Sequence, residues 1–78
     1  MMKNRYVYRN QDITLDIMLK IEHIVRLIAV ETGKSFDDCL YAFYRSRAYA
    51  MLQKPSSLMW AESAEFITDE FFRENKEL

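Results

Sequence analysis

Apolar side chains recur at intervals of three and four residues between Asp12 and Thr32, the spacing that lines one face of a helix. On a helical wheel Ile17, Met18, Ile21, Ile24, Val25, Ile28 and Ala29 share one broad arc, and Asp16, Lys20, His23, Arg26 and Glu31 take the other side. Leu15, Leu19, Leu27 and Val30 fall among those polar residues, so this helix is apolar nearly all round. Either it is the central helix of the fold, or its outer seam meets another chain. The expected start is Asp12 or Thr14, whose side-chain oxygens can accept from free amides. The expected end is Thr32, with Gly33 supplying the left-handed residue that commonly closes helices.

Ser35 opens a second helix in a capping-box-like arrangement with Asp38, and Phe36, Cys39, Leu40 and Phe43 line its inner face. Carrying that helix on to Gln53 sets Arg47 in the middle of the apolar face. A break near Arg45 is therefore expected, with Ser46 capping a short third helix over 47–53. Lys54-Pro55-Ser56-Ser57 reads as a turn, because proline disfavours a helical residue before it. Leu58-Met59-Trp60 is expected to form an apolar plug, with Trp60 inside. Ser63 caps a last helix running from Ala64 to about Asn75. Phe66, Ile67 and Phe71 form its buried side, and Glu62, Glu65, Asp69, Glu70 and Glu74 its exposed acidic side. Before Asp12, Lys3, Arg5 and Arg9 make a basic N-terminal arm (residues 1–11) in which Tyr6-Val7-Tyr8 is the only strand-like patch, too short alone for a sheet. The expected architecture is all-α: one helical domain over 12–78, a small bundle of about four helices.

Composition fits that picture. Half of the 78 residues are apolar, and one glycine and one proline interrupt the chain. A domain this short buries only about 60% of its unfolded surface, so small folds often add a disulfide, a metal or self-association. Cys39 is the single cysteine and His23 the single histidine, too few for an intramolecular disulfide or a four-ligand zinc site. Self-association is the remaining device, and a two-fold homodimer through Leu15, Leu19, Leu27 and Val30 is expected. A net charge of −1 argues against a general polyanion binder. No apolar run reaches the length of a membrane span, and no signal peptide is recognisable at the start. A cytoplasmic protein with no membrane contact is expected.

Candidate chemistry is sparse. His23 lies on the polar side of the first helix, with no nucleophile or orienting carboxylate in helical reach. Cys39 falls at a core spacing, and Asp37 and Asp38 beside it oppose a thiolate. The carboxylates of the last helix fan outward rather than converge as hard cations require. The stretch from Tyr41 to Tyr49 is the most suggestive. Tyr41, Arg45, Arg47 and Tyr49 interleave aromatic and cationic side chains, which can stack on bases and contact phosphates but are equally favoured anchors of protein interfaces. The third helix offers almost nothing beyond Arg47 to read base edges.

From Ile21 to Glu74 the chain resembles a family of short bacterial all-helical proteins catalogued as a domain of unknown function. The resemblance runs through Ile21-Glu22, Gly33-Lys34-Ser35, Phe43-Tyr44-Arg45-Ser46, Tyr49, Leu52, Leu58-Met59-Trp60, Ser63 and Phe66-Ile67-Thr68-Asp69-Glu70. These are mostly capping and core positions. Members of that family are often encoded beside toxin-like or ADP-ribosyltransferase-like proteins, which implies an accessory or antitoxin-type role and carries no catalytic residues with it. The expected function is a non-catalytic protein-interaction module, without cofactor or metal, binding itself and the product of a neighbouring gene. The alternative is a small nucleic-acid-binding regulator using the basic arm and the Arg45–Arg47 region.

Overall fold

The computed structural model describes residues 6–75, and Lys3 and Arg5 of the expected basic arm lie outside them. Four α-helices follow a short hairpin: β1 (Val7–Tyr8), β2 (Gln11–Asp12), α1 (Thr14–Thr32), α2 (Phe36–Tyr44), α3 (Arg47–Leu52) and α4 (Ala64–Glu74). The long α1 packs against both α2 and α4, and α3 bridges those two. The fold is all-helical, as the periodicity implied.

Tyr6-Val7-Tyr8 does find a partner. Val7 pairs with Asp12 and Tyr8 with Gln11 in antiparallel register, around a turn at Arg9-Asn10. Both turn residues have positive φ, 50° and 67°, as the hairpin turn that matches strand twist requires. Arg9 and Asn10 carry no glycine to announce such a turn. The hairpin is pinned by packing: Tyr6 and Tyr8 lie against the core, and the Tyr6 amide donates to Thr14 Oγ1 at 2.7 Å. Ile13 is the residue before α1; its side chain is buried, and its amide donates to the Tyr6 carbonyl. Asp12 contributes at this start by accepting from the Thr14 amide.

The remaining junctions are local chemistry. Gly33 ends α1 at φ 74°, its amide donating to the Ala29 carbonyl. No atom crowds its Cα, so the requirement there is conformational. Ser35, Ser46 and Ser63 each accept from the amide three residues on, opening α2, α3 and α4. Pro55–Ser57 and Met59–Ala61 are single 3₁₀ turns sharing Leu58, which sits at φ 63° without being glycine.

Ile17, Ile24, Val25, Ile28, Phe43, Leu52, Ile67 and Phe71 form the core together with Cys39. Four expected core positions are displaced. Met18 is 58% exposed, because it lies at the edge of the α1 arc rather than over α2 or α4. Phe36 and Phe66 sit in the first turns of α2 and α4, where a helix end is less enclosed than its middle, and stay about two-fifths exposed. Trp60 is half-buried instead of internal: one face meets Tyr8 at 5.4 Å, and its Nε1 donates to the Pro55 carbonyl.

Candidate functional site

The outward side of α1 carries the feature that the core does not explain. Leu15, Leu19, Glu22, Arg26 and Val30 follow one another at three- and four-residue steps, so they form a single stripe along the helix. It runs opposite Ile17, Ile24 and Ile28, which are fully buried. Leu15 is 67% exposed, Leu19 56% and Val30 82%. Met18 borders the stripe, while Leu27, expected in it, does not belong there. A turn of about 100° per residue carries Leu27 round to the α4 side. There it is half-buried and lines a groove with Glu65, Thr68 and Asp69 of α4, at whose rim Val30 and Glu31 also lie. Midway along the stripe, Glu22 and Arg26 form an ion pair at 2.7 Å, both well exposed.

Beside the stripe, Leu19 and His23 join Asp16, Lys20 and Trp60 around an open groove. The Lys20 ammonium is tethered at its edge by donating to the Glu62 carbonyl. His23 is exposed there. Cys39 is buried, with its sulfur 3.7 Å from Thr32 Oγ1 and near the Lys34 carbonyl, a packed thiol rather than a presented one. Among the described residues, no three His, Cys, Asp or Glu side chains converge as a metal site. Among them also, no helix is long and apolar enough to cross a membrane.

The Tyr41–Tyr49 stretch is split by the fold. Tyr41 is exposed and shares a mainly apolar groove with Asp37, Leu40 and Tyr44. Tyr49 turns the other way, edge-on to Phe43 and 4.8 Å from Tyr44. Burial raises its phenol pKa above the ordinary value, with further contributions from the Tyr6 and Tyr44 phenols and a hydrogen bond with Tyr6. Arg45 is the exposed residue that closes α2. Arg47 opens α3 and lines a different groove, with Met51, Met59, Glu70, Arg73 and Glu74. Glu74, expected in the solvated acidic face, reaches across from α4: its two oxygens accept from the Arg47 and Ala48 amides at 2.8 and 2.9 Å. A carboxylate therefore already occupies the free amides at the start of α3. Tyr41 and Arg47 thus line different grooves, and Tyr49 packs inward on Phe43 and Tyr44.

Two members of the α1 face were missed in the sequence. Arg26 reads there as a residue of the polar side and Glu22 has no assigned role, although their four-residue spacing already marks them as a helix-surface pair. Met18 was assigned to the core. No family model matches the chain, and no curated protein or solved structure matches it either.

Proposed function

We propose that the chain is a small, non-catalytic, cytoplasmic protein-interaction module of the regulatory or antitoxin-like accessory kind, and that it binds through the outward face of α1. The observation that carries this reading is the contiguity of Leu15, Met18 and Leu19, each more than half exposed, continuing over the Glu22–Arg26 pair to Val30. Single exposed apolar residues are ordinary on protein surfaces; a connected stripe along the longest helix is the mark of an interface. Burying such side chains fully is worth about 1.5–3 kcal/mol each, which a small domain gains only from a partner.

The resemblance to proteins encoded beside toxin-like neighbours supplies the biological form of the proposal: a protein partner made from the adjacent gene. The nucleic-acid alternative is not favoured by the Glu74 carboxylate, which occupies the Arg47 and Ala48 amides at the start of α3. Co-expression with the adjacent gene product, followed by co-purification, tests the reading. A stable complex that is lost in Leu15→Glu/Leu19→Glu and retained in Tyr41→Ala supports it. A complex indifferent to the α1 substitutions, or salt-dependent retention on DNA without any protein partner, overturns it.

A further inference from the structure

We infer that a second copy of this chain occupies the α1 face, in an antiparallel two-fold pairing centred near Ile24. The inference rests on the reading of that face as an interface: the second copy holds it in the isolated chain, and the adjacent gene product competes for the same face. The stripe is not uniformly apolar: it has leucines at one end, Val30 at the other, and the Glu22–Arg26 ion pair between them. A wholly apolar partner surface would strip water from this ion pair and offer its remaining donors and acceptors nothing in return. A copy of the same helix, running the opposite way, answers both the charged middle and the apolar flanks at Met18, Leu19 and Val30.

Glu22 and Arg26 are one turn apart, about 6 Å along the axis. An antiparallel two-fold axis at residue 24 therefore sets Glu22 against the partner's Arg26, and Arg26 against the partner's Glu22. Four charges then alternate in sign around the axis. The same register brings Met18 and Leu19 to the level of the partner's Ala29 and Val30, so each leucine-bearing end covers the opposite, valine-bearing end. A parallel pairing has neither property, since it sets Glu22 against Glu22 and leaves the two ends unlike. The two-fold arrangement is also the commonest way for one patch to be met by itself.

The size of the face sets the strength. A 19-residue helix presents a strip about 28 Å long and 10–12 Å wide, roughly 300 Å² in projection. Stable complexes bury about 800 Å² per partner, so this pairing is weak and depends on concentration.

Sedimentation equilibrium of the isolated chain, from low micromolar to millimolar, is the test. The expected result is a reversible monomer–dimer equilibrium. Charge reversal distinguishes the geometry: Glu22→Arg or Arg26→Glu alone places like charges across the axis and weakens dimerisation about tenfold or more. The double exchange Glu22→Arg/Arg26→Glu rebuilds the alternation and restores it. Leu19→Lys and Val30→Lys each leave a monomer that keeps its helical circular dichroism, because both positions are exposed. Wild-type protein that stays monomeric at millimolar concentration overturns the inference, as does single reversal without effect. If the chain is monomeric alone but its complex with the adjacent gene product is still broken at Leu19, the self-pairing is lost and the proposed function stands. A dimer with no heteromeric complex gives the opposite division.

Discussion

Ser63 lends its Oγ to the Phe66 amide at 3.0 Å, satisfying one of the free donors at the start of α4. Ser63→Ala is expected to lower stability by about 1 kcal/mol, the usual cost of losing such a cap. The shift appears as a lower denaturant midpoint at unchanged slope; an unchanged midpoint contradicts it. Ser35, Ser46 and Gly33 act by the same short-range chemistry, within three or four residues of their partners. These positions were therefore legible in the sequence. Phe36, Phe66 and Trp60 were not, because a periodic pattern says which side chains share a face and leaves open whether a neighbour reaches that turn. Tyr49 gives a second test at this scale. With its pKa raised above 10.0 by burial and by its neighbouring phenols, the folded protein holds the phenolic proton more tightly than the unfolded chain does. That contribution is fully present below the ordinary value and is lost as pH rises through the raised folded value. Tyr49→Phe cannot ionise, so its urea midpoint should fall less steeply with pH above 10.0 than that of the wild type. Parallel slopes contradict the assignment.

Helix α3 shows what elements owe to one another. It is only six residues long, too short to persist alone, and its first turn is held from outside by Glu74 as well as by Ser46. That contact spans 27 residues of sequence, so no local pattern could reveal it; Glu74 read as one more acid on a solvated face. Glu74→Ala is expected to cost about 1–3 kcal/mol, because two amides lose a charged acceptor. Hydrogen exchange should report the loss first at residues 47–50, ahead of α1. Uniform exchange across the molecule contradicts a capping role. The break between α2 and α3 was legible for a different reason. A continuous helix sets Arg47 in an apolar face, whereas in the fold Arg47 is exposed and Ala48 and Leu52 turn inward. The hairpin at the start was missed because Arg9 and Asn10 adopt positive φ without a glycine.

At the scale of the whole molecule, one core of a dozen buried apolar residues, Ile13 to Phe71, holds four helices and a hairpin together. Both earlier alternatives for the first helix have a share in the result. It is central on the side of Ile17, Ile24 and Ile28, yet among the described residues no element covers the side that bears Leu15, Leu19 and Val30. Folding accounts for the first side, and the account assigns the second to binding. Amide chemical shifts followed over a concentration series of the wild-type protein test that assignment most directly. The account predicts concentration-dependent shifts confined to the outward turns of α1, at Leu15, Met18, Leu19, Glu22, Arg26 and Val30. Shifts centred instead on Tyr41 and Tyr44, with the α1 face unchanged, contradict it.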